Sequence, residues 1–106
     1  MALTRTFKAT VQARVVADVG FRDALLREAI DAMLEGDVET GKTILRDYIK
    51  ATVGFEKLGE ATGTSPKSLM RMFGASGNPQ ARNLFAVIGE LQKQAGVRLQ
   101  VTAGTG

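Results

Sequence analysis

Histidine, cysteine and tryptophan are all absent from these 106 residues. Without histidine the chain lacks the commonest general base, the commonest zinc ligand and the imidazole of hydrolytic triads. Without cysteine there is no disulfide, no thiolate chemistry and no cysteine metal site. No set of carboxylates and lysines converges to replace them, so the residues predict no enzyme, no metal and no cofactor. Nor does any apolar run approach the ~20 residues of a membrane span. The opening MALTRTFKAT has no uninterrupted apolar core, so it does not read as a signal peptide. Together these absences predict a cytoplasmic protein with no membrane partner. A length of 106 residues with 44% hydrophobic and 24% charged content predicts one globular domain, 1–106.

A last absence is local. Between Ala61 and Gly89 there is no acidic residue, although the chain as a whole carries only +3. Residues 18–47 hold eight acids against Arg22, Arg27, Lys42 and Arg46. Residues 61–106 hold Lys67, Arg71, Arg82, Lys93 and Arg98 against Glu90 alone. A surface that faces phosphates requires such a gap, because one carboxylate cancels one cation. The alternative is a chance gap on a weakly charged, solvated face.

What is present is mainly helical patterning. Phe7 to Ala17 is ambiguous: Phe7, Ala9, Val11, Ala13 and Val15 alternate as in a strand, whereas Phe7, Val11 and Val15 recur as in a helix. The alanines favour a helix. Phe21 to Glu35 predicts an amphipathic helix with Phe21, Leu25, Ala29, Ala32 and Met33 in one stripe, broadened by Leu26, Ile30 and Leu34, and ended by Gly36. A further helix is expected from about Asp37 to Val53, buried through Ile44, Leu45, Tyr48, Ile49 and Val53. Asn78-Pro79 predicts the start of a helix whose Leu84, Phe85, Ile88 and Leu91 face the core. Val97, Leu99 and Val101 alternate with Arg98 and Gln100, which predicts a short strand. The expected organisation is amino-terminal helices over 1–53, a helix pair and following helix over 54–96, and a strand with a flexible tail over 97–106.

The helix pair is the most informative segment. In FEKLGEATGTSPKSLMRMFG, with Phe55 counted first, Leu58 stands fourth, Gly59 fifth, Gly63 ninth, Leu69 fifteenth and Met72 eighteenth. Steeply crossing helices need a small residue at the crossing, which Gly59 provides. The corner needs φ > 0, which Gly63 adopts without a Cβ clash. Ser65-Pro66 supplies an N-cap and a first-turn proline. Leu58, Leu69 and Met72 then close the wedge, as a helix-turn-helix requires.

One other motif is formally complete. Gly36 to Thr43, GDVETGKT, matches the phosphate-cradling pattern GxxxxGK[ST]. A true phosphate loop follows a β-strand, whereas an amphipathic helix precedes Gly36, and Asp37 and Glu39 would repel the anion. The segment is therefore expected to be an interhelical turn and the first turn of a helix.

The run TGTSPKSLMRMFGASGNPQARNLFAVIGELQKQAGVRLQV, with FRDALLREAI upstream, resembles the addiction-module antidote proteins. These are small antitoxins of bacterial toxin–antitoxin pairs built on a lambda-repressor-like helix-turn-helix. The resemblance covers about four-fifths of the chain, most specifically its carboxyl-terminal half. It implies an all-α fold of five to six helices, a homodimer that binds its own operator as double-stranded DNA, and a small basic toxin as second partner. The chain departs from the wider helix-turn-helix pattern at Phe55, often glutamine, at Thr62 and Thr64, often apolar, and at Ser65-Pro66.

In such a motif the second helix enters the major groove by its amino-terminal end. That places Ser65, Pro66, Lys67, Ser68 and Arg71 against bases. Lys57, Asn78, Gln80, Arg82 and Asn83 are the candidate phosphate contacts, the last four where free helix amides attract anions. The acidic stretch 18–47 is a candidate surface for the toxin, against the plainer reading of a solvated helix face. The competing functions are a stand-alone regulator, or an interaction module that does not read DNA.

Overall fold

The computed structural model describes residues 18–104. The ambiguous segment 7–17 and the last two residues of the expected tail lie outside them. Asp18 sets where the first helix begins: its backbone is extended and its carboxylate accepts the Phe21 amide at 3.0 Å. The helix that follows, α1, covers Val19–Leu34 and ends in a turn in which Gly36 has φ +91°. Asp37 starts the next by the same device, accepting the Thr40 amide at 3.2 Å. α2 spans Val38–Ala51, α3 Phe55–Thr62, α4 Pro66–Met72 and α5 Ala81–Ala95. The described chain is thus all-α, with five helices.

α1 and α2 pack together along their length, and α3 packs against both α4 and α5. The contact between α1 and α2 depends on Gly41, where a Cβ would lie 2.9 Å from the Ala29 carbonyl oxygen and collide with Met33. The core is continuous across all five helices: Leu26 and Ala29 from α1, Leu45, Tyr48 and Ile49 from α2, Phe55 and Leu58 from α3, Leu69 from α4, and Val87, Ile88 and Leu91 from α5, with Phe73 just beyond α4. Each fully buried leucine among them contributes about 1.5–3 kcal/mol relative to exposure.

Three expectations are corrected. Residues 97–101 form no strand, and no strand occurs among the described residues to offer a ladder. Instead the Val97 amide bonds the Gln92 carbonyl at 3.1 Å, and the Leu99 amide bonds the Gln92 side-chain oxygen at 2.8 Å. The expected alternation survives in part without a sheet: Val97 and Leu99 are half-buried and Arg98 and Gln100 exposed, but Val101 is 75% exposed. The last helix begins at Ala81 rather than at Asn78-Pro79. Proline disfavours the helical region for the residue before it, and Gln80, still extended, occupies the cap position without a side-chain bond. Phe85 and Leu34 do not face the core; they are 67% and 63% exposed.

The phosphate-loop look-alike is resolved by the same contacts. Gly36 ends α1, Gly41 lets α1 and α2 meet, and Thr43 donates its hydroxyl to the Glu39 carbonyl at 3.0 Å. Lys42 is 2% exposed and donates to the carbonyl oxygens of Gly74 at 3.1 Å and Gly77 at 2.6 Å. Each motif residue is occupied in building the helical fold.

Candidate nucleic-acid interface

The corner between α3 and α4 follows from two glycines and a serine. α3 ends where Gly63 takes φ +72°, a left-handed conformation that side chains with a Cβ resist. The amides of Gly63 and Thr64 both return to the Gly59 carbonyl, at 2.8 and 3.1 Å. On the other side of Gly59, a Cβ would lie 2.5 Å from the Thr64 carbonyl oxygen and 3.4 Å from Pro66 Cδ, so only hydrogen fits. Ser65 then opens α4: its oxygen accepts the Ser68 amide at 3.2 Å, and its hydroxyl donates to Ser68 Oγ at 2.9 Å. Pro66 occupies the first turn, where its missing amide costs nothing.

Burial then orients α4. Leu69 is fully buried and Phe73 nearly so, its ring 6.5 Å from that of Phe55 at a 45° tilt. Phe55, at the position where a phosphate-binding glutamine often stands in helix-turn-helix proteins, is therefore a core residue. With Leu69 and Phe73 inward and Met72 half-buried, Lys67, Ser68 and Arg71 stand on the exposed side. Lys67 and Arg71, four apart on one helix, share a face. Met70 is 46% exposed beside them. Thr62 and Thr64 are half-buried, and the Thr62 hydroxyl donates to the Leu58 carbonyl at 2.8 Å. The half-buried hydroxyl is thus satisfied within its own helix, so threonine is tolerated where an apolar residue would only pack.

Of the ten candidate contacts, Pro66 is half-buried and the others are exposed. Ser68, Arg71 and Asn78 line one shallow cleft of about 270 Å³, together with Met72, Ser76, Gly77 and Pro79. Gln80, Arg82 and Asn83 follow directly at the uncapped start of α5. Lys57 is set apart: it lines a different cleft of about 420 Å³ with Arg22, Tyr48 and Gln94. Ser65 and Ser68 bond each other and cap α4, a structural duty beside any contact to bases. Burial raises the Tyr48 phenol above its ordinary value, opposed by the nearby Arg22 charge and reinforced by Asp23.

One residue whose structural role the sequence pattern passed over is Lys42. Gly77 sits so tightly on the end of α4 that a Cβ there would meet the carbonyls of Arg71 and Met72. Its amide bonds the Gly74 carbonyl at 3.0 Å, and the Gly74 amide bonds that of Arg71 at 3.2 Å. By holding the carbonyls of Gly74 and Gly77, Lys42 ties α2 to the loop that fixes the far end of α4. A signal existed: Lys42, Leu45 and Ile49 have the spacing of one buried helix face.

Among the described residues no group of three or more histidine, cysteine or acidic side chains could hold a metal ion, and no helix is long and apolar enough to cross a membrane. No family model, curated protein or solved structure matches this chain.

Proposed function

We propose that this chain is a sequence-specific DNA-binding antitoxin that represses its own operon and neutralises a small basic toxin. One observation carries the DNA reading. A tight glycine corner presents α4 with Lys67 and Arg71 on its exposed face, in a stretch free of carboxylates from Ala61 to Gly89. In this reading the pair is a lambda-repressor-like helix-turn-helix, and α4 enters the major groove by its amino-terminal end. Arg71 or Lys67 pairs with a guanine edge, a contact worth about 1–3 kcal/mol of discrimination. Arg82, Asn83 and the uncapped amides of α5 take phosphates.

The toxin reading has separate support. Asp18, Glu28, Asp31, Glu35, Asp37 and Glu39 are all exposed on α1, its turn and the start of α2. Such a surface steers a cationic partner. It lies on different elements from α4, so toxin and operator have separate surfaces.

The alternative is a protein-interaction module that reads no DNA. It is favoured by the burial of Phe55 and by Pro66, which together remove two common phosphate contacts. Fluorescence anisotropy on the DNA upstream of the gene separates the two readings. The proposal expects affinity that falls steeply with salt, and a Lys67→Ala/Arg71→Ala double variant that binds at least about tenfold more weakly with a shallower salt slope. Unchanged affinity and slope in that variant would remove α4 from the interface. Co-purification with the product of the adjacent reading frame tests the toxin.

A further inference from the structure

Tyr48 is 2% exposed, yet its hydroxyl has no hydrogen-bond partner among the described residues; the Thr52 hydroxyl bonds only its backbone carbonyl, at 2.7 Å. Buried polar groups are almost always paired, so an unpaired one calls for an explanation. Among the described residues the fully enclosed side-chain orphans are Asp23 Oδ1 and Arg46 Nε, not this oxygen. The phenol therefore opens onto the cleft of about 420 Å³ that Tyr48 lines. Four helices meet there. Arg22 comes from α1 and Lys57 from α3, and neither side chain has an ion-pair or hydrogen-bond partner among the described residues. Gln94, from α5, gives one amide hydrogen to Glu90 at 3.1 Å and keeps a second. Ala51, Val53, Leu91 and Ala95 supply an apolar wall. No carboxylate lines the cleft: Asp23, like Arg22, is near enough to act on the phenol's ionisation, but it is not part of the lining.

We propose that this cleft binds a small phosphate monoester, a soluble ligand separate from operator and toxin. Two cations with no carboxylate in the lining suit a dianion. The three terminal oxygens of a phosphate can accept from a guanidinium fork, an ammonium and the phenol hydrogen at once. Ligand pockets run to about 300–1,000 Å³, so a cleft of this size leaves room beyond the phosphate for a carbon body against Val53 and Leu91. A cationic ligand would meet Arg22 and Lys57 unopposed, and a neutral one would leave both charges uncompensated. The lining comes from α1, α2, α3, α5 and the residues after α2, with none from α4, so this ligand does not compete for the face that carries Lys67 and Arg71. Lys57, expected among the operator contacts, has its partner here instead.

The test is a nuclear magnetic resonance titration of the full chain with phenyl phosphate, from about 10 µM to 10 mM, the range of fragment-sized ligands. Tyr48 is the single tyrosine, so its ring signals report from the cleft alone. The expected result is saturable shifts there and at the amides of Ala51, Val53 and Ala95. Inorganic phosphate shifts the same signals more weakly, and phenol, which lacks the anion, does not saturate them. Followed at the three amides, Lys57→Gln and Arg22→Gln each weaken binding about tenfold, the loss of one charge-assisted contact. Tyr48→Phe weakens it about fivefold and melts with the wild type, because the hydroxyl holds nothing in the fold. Should Arg22→Gln misfold, Lys57→Gln, at an exposed position, makes the same test. Shifts spread over all basic side chains without saturation overturn the proposal, as does saturable binding that survives Lys57→Gln and Tyr48→Phe. So do cleft signals that move with operator DNA but not with phenyl phosphate, since the cleft then takes a backbone phosphate. Each failure leaves operator binding by Lys67 and Arg71 to be judged on its own salt dependence.

Discussion

Replacing Lys42 by methionine separates a structural lysine from a nucleotide-binding one. The substitution keeps most of the buried stem but removes the ammonium that holds Gly74 and Gly77 at 3.1 and 2.6 Å. The Gly74 carbonyl still accepts the Gly77 amide, so the Gly77 carbonyl is the group left without its partner. A hydrogen bond to a charged group contributes about 1.5–3 kcal/mol, and an orphaned acceptor costs about 1–3 kcal/mol. The variant no longer bears the cost of burying a charged ammonium, which offsets part of the loss. The net destabilisation is about 2–3 kcal/mol, and Lys42→Ala, which adds a cavity, costs about 3–5 kcal/mol. For a domain of this size the methionine variant should melt roughly 10 °C lower. The ion pair with Glu39 at 3.2 Å contributes little, because Glu39 is 68% exposed; Glu39→Gln should change stability by less than about 0.5 kcal/mol. Urea unfolding followed by circular dichroism gives these values. Hydrogen exchange in the native state should show the amides of the 74–77 loop opening faster in Lys42→Met while α1 stays protected. A Lys42→Met protein within about 0.5 kcal/mol of wild type would refute the reasoning. So would micromolar ATP binding that Lys42→Ala abolishes.

Further outcomes test other parts of the fold. Gly59→Ala pushes a methyl group toward the Thr64 carbonyl, and should cost about 1–3 kcal/mol in urea unfolding and weaken any operator binding by tilting α4. Tyr48 is the only tyrosine and tryptophan is absent, so ultraviolet absorbance follows its ionisation alone. Its raised pKa predicts that phenolate appears only above the usual value of about 10 in the folded protein. The matching stability is present below that value and is lost as pH rises through the higher, folded one. Asp37 is shifted the other way: hydrogen bonds from Thr40, side chain first and then backbone, hold its carboxyl below the ordinary range. Its contribution is therefore present above about pH 3.9 and lost as acid protonates the folded carboxylate. Asp37→Asn keeps a cap while flattening that acid limb, as thermal melts between about pH 2 and 5 would reveal.

Much of the helical architecture was legible because its signals are local. Asp18, Asp37 and Ser65 each cap a helix by accepting the amide three residues ahead. The turn glycine Gly63 needs only its own φ. These features act over one turn of chain and leave their mark on neighbouring residues. The alternation of Val97, Leu99 and Val101 misled because periodicity reports which side of a segment is apolar, not whether another strand is there to pair. Phe85 misled for a related reason, since an apolar residue next to a core stripe can be left out of it by a small rotation of the helix.

The candidate site divides along the same line. That Lys67 and Arg71 share a face of α4 is contained in their spacing of four, and that Leu69 lies opposite follows from helix geometry. Only the fold places Asn78 beside Arg71, gathers Leu34, Phe85 and Val101 around one cleft, and sends Lys57 to another. Lys42 marks the boundary most sharply. Its neighbours GDVETGKT spell a phosphate cradle, yet its partners lie 32 and 35 residues away in a loop that only the folded chain brings within reach. Helix starts and stops are encoded in nearest neighbours, whereas burial of a charge is decided by which distant carbonyls the packed core brings within reach.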